Sequence, residues 1–362
     1  MTTGVCYDER CLRHDNGSMI VNDRVAGWLD VPHAESAARL SRTWQVFERA
    51  GVLAHVTRVP ARAASEAELL LVHTQEHLDA VRAGSSGEGI RTIGPEARAG
   101  AGSWEAAAVA VGGLVECVER VLGGELTNAY VICRPPGHHA SAEQAMGFCL
   151  FNAVAVAARH LQAGRGIERV AIVDWDVHHG NGTQDVFYED GSVLFVSLHQ
   201  DDLYPKGLGT RSERGRGDSE GTTVNVPLPA GSGDDGYGLA FEQVVEPALR
   251  RFRPELLLVS AGQDPAASDP LGRMSVTTEG FRRLAAGSRR LAEELCGGRL
   301  VAFHEGGYSI DHTPLCNLAI LEALADLPPS WDRDPIELDV PAGVSHAEHE
   351  AIEAAALAAE LQ

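Results

Sequence analysis

Four short stretches of this chain set acids, histidines and a tyrosine where chemistry could be done: RPPGHHA (134–140), DWDVHHGNG (174–182), SAGQD (260–264) and HEGGY (304–308). Asp176 and His178 stand two residues apart, so an extended backbone points both to the same side. One strand end can thereby offer a carboxylate and an imidazole to a single divalent ion. Asp264 adds a second carboxylate and completes a three-ligand N/O set with a position left open for water. Zinc in such a set brings water to a pKa of about 7. His138 and His139 can supply a general base and acid. Tyr308 can donate to a developing oxyanion, a role whose loss costs about 10²–10³ in rate. Asp174 can hold one imidazole and Asn181 the other. The chemistry open to this set is metal-assisted hydrolysis of an amide. Taken singly, each stretch has a structural use instead: histidines on a surface loop, an aspartate at a turn, a packed tyrosine. What joins them is that each follows a strand-like run.

The elements that must position them follow from pattern. Residues 170–174, apolar and β-branched, read as a buried parallel strand. Residues 129–133, 256–260 and 300–303 precede the other three stretches in the same way, and 3–7 and 193–198 read as further strands. Helices are expected over 33–50, with Leu40, Trp44 and Phe47 on one face, and over 66–72 behind the Ser65/Glu68 capping-box spacing. Further helices are expected over 74–82, 152–161, 183–189, 235–251, 278–295 and 313–325. A polar loop is expected over 8–31 and a glycine-rich loop over 84–94. Residues 95–122 read as one long alanine-rich helix or a pair. Strands alternating with helices indicate one parallel sheet covered on both faces, with ligands gathered at the carboxyl ends of its strands. Residues 328–344 are rich in proline and acid and are expected to lie extended. Ser345 to Glu348 repeats the capping-box spacing ahead of a helix to Leu361. That tail could pack on its own domain or on a second subunit of a homo-oligomer.

Composition narrows the partners. The 362 residues carry 30 Lys+Arg against 51 Asp+Glu, a formal charge of −21. That balance argues against nucleic acid or an anionic membrane and favours the approach of cationic substrates. Seven cysteines, none in a C-x-x-C pair, predict neither a disulfide framework nor a cysteine zinc knot. No export signal and no apolar run of the roughly 20 residues a membrane span needs are evident, so a cytoplasmic location is expected.

RPPGHHA, GFCLFN, VDWDVHHGNGTQ, SLHQ, NVPLP, SAGxD, DPLG and EGGY occur in order. On these motifs the chain resembles the zinc-dependent histone deacetylase superfamily, in particular its class II branch and the bacterial histone deacetylase-like amidohydrolases, relatives of the acetylpolyamine amidohydrolases. The resemblance runs from Thr3 to about Leu327. It implies an α/β fold of the arginase–deacetylase type, a central, mainly parallel eight-stranded sheet with helices on both faces. It implies a catalytic domain over 1–327 followed by an extended segment plus helix over 328–362. One catalytic Zn2+ is expected on Asp176, His178 and Asp264, with His138, His139 (the general base) and Tyr308 catalytic and Asp174 and Asn181 supporting them. An inner K+ is expected at Asp174, Asp176, His178, Ser197 and Leu198, and parts of an outer one at Phe187, Asp190 and Val193. The walls of an acyl-lysine channel fall on Gly147, Phe148, Tyr204 and Leu271, and Arg39 is expected beneath the site.

The substrate implied is N6-acetyl-lysine or a similar acylated amine, as a small molecule or in an acyl-lysine peptide. An acetylpolyamine or a specialised metabolite is the alternative, although Leu271 stands where polyamine-preferring class IIb relatives carry a glutamate. Two other classes are weighed: a binuclear manganese ureohydrolase, which needs further bridging aspartates that are not found, and an acyl-lysine binder without activity, against which the intact His138, His139 and Tyr308 speak. Gln263 and Pro265 depart from the family pattern beside the third ligand. The loop over 18–31 is longer than in many class II members and is expected to cap the entrance.

Overall fold

Residues 170–174 and 256–261 are buried at every position, as strands covered on both faces must be. The computed structural model describes residues 2–19, 28 and 31–360. In chain order its elements are β1 (Thr3–Tyr7), α1 (Ala37–Ala50), β2 (Thr57–Val59), α2 (Glu66–Leu69), α3 (Gln75–Gly84), β3 (Arg91–Gly94), β4 (Ala97–Ala99), α4 (Ser103–Leu122), β5 (Asn128–Ile132), α5 (Ala153–Gly164) and β6 (Val170–Asp174). There follow α6 (Asn181–Phe187), β7 (Val193–Gln200), β8 (Thr223–Leu228), α7 (Asp234–Ala240), α8 (Glu246–Phe252), β9 (Leu256–Ala261), α9 (Thr278–Cys296), β10 (Leu300–His304), α10 (Thr313–Leu324) and α11 (His346–Glu360).

Eight strands form one sheet in the order β2-β1-β5-β10-β9-β6-β7-β8, every neighbouring pair parallel. The four strands that carry the chemistry-bearing stretches, β5, β10, β9 and β6, are consecutive neighbours at its centre. Their ends are level, with Asp174 opposite Ser260 and Ala261 opposite His304. Stretches as much as 170 residues apart therefore reach one place. Helices α4 and α5 pack together on one face, and α1, α9 and α10 on the other. Every residue of α10 except Leu315 is buried, because the helix is wedged between the sheet, α1 and α9. Among the described residues no helix is long and apolar enough to cross a membrane.

Four expectations are corrected. The helix expected from residue 95 begins at Ser103, because residues 91–99 form the antiparallel β3–β4 hairpin. Alanine-rich composition favours helix there, but Glu96 takes φ +52° and Gly102 φ +87°, and both interrupt it. Second, one helical turn at Phe241–Val245 widens to π geometry between α7 and α8. Pro247 has no N–H to offer the carbonyl one turn back, so the regular ladder cannot continue through it. Third, β8 was not expected as a strand. Its Pro227 is tolerated because β8 is the sheet's edge, pairing only with β7. Fourth, the three-residue strand β2 on the opposite edge was too short for its pattern to register.

The tail packs on its own chain. Helix α11 lies against β8, burying Ile352 and Ala355 and covering the open edge. Ser345 and Glu348 exchange capping-box hydrogen bonds at its start. The end expected at Leu361 lies outside the described residues, as do 20–27, 29 and 30 of the expected entrance loop.

Candidate active site

The carboxyl end of β6 turns sharply after Asp174, whose Oδ1 accepts from the Asp176 N–H at 3.0 Å. This turn swings Asp176 and His178 toward the end of β9, where Asp264 stands. Ligand atoms of Asp176, His178 and Asp264 all lie within 4.8 Å of one another. His178 Nδ1 is 3.1 Å from Asp176 Oδ1 and 3.1 Å from Asp264 Oδ2. The remaining carboxylate oxygens are held by backbone: Val177 N–H donates to Asp264 Oδ1 at 2.8 Å and Gly306 N–H to Asp176 Oδ2 at 2.8 Å. Glycines make the approach close enough. A Cβ on Gly262 would lie 2.2 Å from Asp176 Oδ2, and one on Gly306 2.0 Å from Asp264 Oδ2.

The histidine pair follows β5. His138 Nδ1 donates to Asp174 Oδ2 at 2.9 Å, and His139 Nδ1 donates to Asn181 Oδ1 at 2.8 Å. Both Nε2 atoms are thereby left free of these bonds, and that of His138 lies 3.7 Å from Asp176 Oδ1. The two environments push the rings apart. Burial disfavours charge on His138, but the Asp176 and Asp174 carboxylates overcome it and hold its pKa well above the usual imidazole range. Burial and the charges of His138 and His178 push His139 well below that range. A charged ring beside a neutral one is the division an acid and a base require.

The three-residue cradle is short of positive charge. Asp176 and Asp264 are fully buried, and among the described residues no arginine or lysine pairs with either. Burial and the Asp176 charge raise Asp264 to about 7. His178, despite its burial, is raised to about 10, chiefly by Asp264. A set of two carboxylates and an imidazole that needs a cation at its centre fits a divalent ion of the zinc class.

Tyr308 follows β10 on the Gly306-Gly307 turn, where Gly307 takes φ +111°. Two features place it, and only the first, Asp269, is not read from the sequence. Asp269 accepts from the Tyr308 and Ser309 N–H groups at 2.5 and 3.1 Å, and from the Leu271 N–H at 2.9 Å. Arg39, expected beneath the site and fully buried, donates to the Gly307 carbonyl at 2.5 Å and the Glu305 carbonyl at 2.6 Å, with its guanidinium 4.9 Å from the Tyr308 ring centre. Glu305, also unforeseen, accepts from the Gly137 N–H at 2.6 Å and so ties the β10 loop to the histidine loop. Gln263, the family departure, donates to Tyr130 Oη at 3.1 Å, and the chain continues through Asn317 and Thr43 to the Arg39 carbonyl.

A cavity of about 440 Å³ opens over these groups, and Gly147, Phe148, Tyr204 and Leu271 all line it with His139, His178 and Tyr308. Phe148 sits edge-on to Tyr308 at 5.8 Å between ring centres, and Tyr204 edge-on to His139 at 5.1 Å. Burial and the charge of Asp264 raise the Tyr308 phenol well above its ordinary value, which keeps its proton available for donation. Of the expected potassium residues, Asp174 at the end of β6 and Ser197 within β7 are sheet neighbours, with Leu198 next in line. Phe187, Asp190 and Val193 form the turn between α6 and β7, where Asp190 also pairs with Arg159.

An all-parallel α/β sheet here gathers acids, imidazoles and a phenol at the carboxyl ends of its central strands, a set equipped for acid–base hydrolysis. The particular family is shown by comparison: residues 33–324 match the histone deacetylase domain, and the chain belongs to that family. It is 42% identical over 338 residues to a histone deacetylase-like amidohydrolase of Pseudomonas aeruginosa, covering 92% of this chain and 88% of that one. It is 38% identical to a probable deacetylase of Archaeoglobus fulgidus, covering 92% and 89%. The crystal structure of the HDA15 HD domain superposes with a TM-score of 0.87 at 35% identity, covering 99% of this chain and 94% of that one. The protein is thus an enzyme of the amide-hydrolysing, deacetylase–amidohydrolase kind.

Proposed function

We propose that the protein is a zinc-dependent deacetylase of N-acylated amines, N6-acetyl-lysine or a close analogue, with residues 1–327 as its catalytic domain, closed by 328–362. The observation that carries this reading is the convergence of Asp176, His178 and Asp264 within 4.8 Å, beside His138, His139 and Tyr308 at the floor of one cavity. An ion held by those three residues would supply polarisation of the acyl carbonyl and a lowered pKa for water.

The remaining work falls to side chains. His139 Nε2 is the acceptor, because its Nδ1–H is committed to Asn181, and it takes the proton of the attacking water. His138, held charged by Asp174 and Asp176, balances the charge that develops, and His139 passes the proton it took from water to the departing amine. The Tyr308 phenol donates to the oxyanion. Phe148 and Tyr204 flank the substrate's aliphatic tether and keep water from it. Potassium between the end of β6 and Ser197 of β7 would fix the turn that presents Asp176 and His178, and the enzyme would work in the cytoplasm.

The test is a fluorogenic acetyl-lysine assay on protein stripped by chelator and then reloaded with zinc. Hydrolysis should disappear on stripping and return on reloading. Turnover unaffected by the chelator, or absent from the zinc-loaded protein, would overturn the reading.

A further inference from the structure

The mouth of the cavity carries charges of both signs that catalysis does not use. Glu96, Arg98 and His33 all line it. Glu96 is exposed, and its backbone is fixed to the channel wall: Phe148 N–H donates to the Glu96 carbonyl and Gly147 N–H to the Pro95 carbonyl, each at 3.0 Å. Among the described residues its carboxylate enters no ion pair. The neighbouring Tyr204 hydroxyl faces the Glu96 carboxylate, and burial together with that charge raises the phenol's pKa. Arg98 donates to the Ser18 carbonyl at 3.1 Å and, among the described residues, likewise has no carboxylate partner.

His33 is oriented as a donor. Its Nδ1 lies 3.0 Å from the Glu35 N–H and 3.1 Å from Asn16 Nδ2, both of which can only donate. The ring proton is therefore on Nε2. Burial, with the charges of Arg134 and Arg98 and against that of Glu35, lowers the ring's pKa. A ladder of rings sets the depth: Tyr308 to Phe148 is 5.8 Å and Phe148 to His33 is 4.8 Å, both edge-on. A group leaving the floor beside Tyr308 passes Phe148 and meets His33, with Arg98 and Glu96 lining the same cavity.

We propose that this mouth selects the free amino acid: the substrate is an N-acylated diamino acid such as N6-acetyl-lysine itself, its α-carboxylate received by Arg98 and the His33 Nε2–H and its α-ammonium by Glu96. The proposal rests on the deacetylase reading above and narrows it to a zwitterionic small molecule. Within a protein chain both head charges of the lysine are lost to peptide bonds, and the two rim charges would go unanswered. A neutral zwitterion also asks nothing of the overall charge of −21, which would repel a purely anionic substrate.

The experiment measures kcat/KM of the zinc-loaded enzyme on four compounds with the same scissile acetamide. These are N6-acetyl-lysine, its analogue without the α-amino group (6-acetamidohexanoate), its analogue without the carboxylate (N-acetylcadaverine), and the form blocked at both ends. Free acetyl-lysine should lead, with each missing charge costing about three- to tenfold and the doubly blocked form last. Glu96→Gln should erase the advantage that an ammonium confers and leave the carboxylate's in place; Arg98→Gln should do the reverse. The proposal is overturned if the blocked compound is hydrolysed as fast as the free amino acid, or if either variant slows all four equally. Those outcomes leave the deacetylase reading standing, whereas no turnover of any compound removes that reading and this one together.

Discussion

Glu35 and the Asp176–Asp264 pair are both fully buried carboxylate sites within the same fold, yet they are balanced differently. Glu35 is answered on every side: Arg134 grips both its oxygens at 2.6 and 2.5 Å, Arg39 adds a bond at 3.0 Å, and Asn16 another at 2.8 Å. Burial alone would raise its pKa, but the Arg134 guanidinium holds it well below the carboxylate range. Asp264 has no guanidinium beside it, and burial and the Asp176 charge drive it up to about 7. Matched charge is architecture, since it fixes Arg39 of α1 and Arg134 of the loop after β5 behind the site. Unmatched charge marks a functional centre, because buried carboxylates without a cationic side chain suit a cation. The same physical term therefore separates framework from functional centre.

The largest effects should come from removing one carboxylate at each place. Asp264→Asn should drop hydrolysis to background. In chelator-treated protein it should leave the thermal midpoint equal to or above the parent's, because it deletes one of two repelling charges. Zinc should raise the parent's midpoint, by an amount equivalent to about 2.7 kcal/mol at a hundredfold excess over Kd, and leave the variant's unmoved. Glu35→Gln should do the opposite, costing about 3–5 kcal/mol in urea titrations because two guanidinium groups are left short of their counter-charge. If Asp264→Asn destabilises the metal-free protein as severely as Glu35→Gln does, the contrast between the two clusters is wrong.

Next in size is the phenol. Tyr308→Phe should lower kcat about 10²–10³-fold with KM and the unfolding midpoint nearly unchanged, since the ring still packs on Phe148 and Arg39. Asp269→Asn probes the same group indirectly. It weakens the acceptor for the Tyr308, Ser309 and Leu271 N–H groups, so kcat should fall less than in Tyr308→Phe and the two changes should be far from additive. Full additivity would show that Asp269 acts elsewhere than on Tyr308.

Sequence and structure divide along the same line as these predictions. Asp176, His178, Asp264, His138, His139 and Tyr308 are legible in the chain because each directly follows an apolar strand run, and strand ends of one parallel sheet must meet. Asp174 and Asn181 are legible because they sit within a few residues of the groups they hold. Glu35, Glu305 and Asp269 are not. Their partners lie 99 residues away for Glu35 and Arg134, 168 for Glu305 and Gly137, and 39 for Asp269 and Tyr308. No local period marks such pairs. The Gln263–Tyr130–Asn317–Thr43 chain is hidden for the same reason, with Gln263 showing only as a departure from the family pattern. The β3–β4 hairpin was masked by alanine, yet it delivers Glu96 and Arg98 to the cavity.

The smallest effect at neutral pH belongs to His14, which sits at the margin of the matched cluster. Its Nδ1 bonds Ser103 Oγ at 2.8 Å, and its Nε2 is 3.6 Å from Glu35 Oε2. Burial, and then the Arg134 charge, depress its pKa to about 3 against an ordinary 6.5, with the Glu35 carboxylate too committed to the arginines to reverse this. The unfolded chain therefore takes up a proton at this site as pH falls through 6.5, while the folded chain does so only near 3. Stability from the neutral ring is complete above 6.5 and drains away progressively between 6.5 and about 3. His14→Gln should change the urea midpoint little at pH 8 and should flatten the decline of stability from pH 6.5 to 4. Other buried histidines, such as His73 at about 3 and His199 at about 4, contribute equally to parent and variant, so the difference between the two curves reports His14 alone. Parallel curves would mean that the ring is charged in the fold and that Glu35 has counter-charge to spare for it. In that case the cluster is overbalanced toward the acid, like the cradle, and the two regions are alike after all.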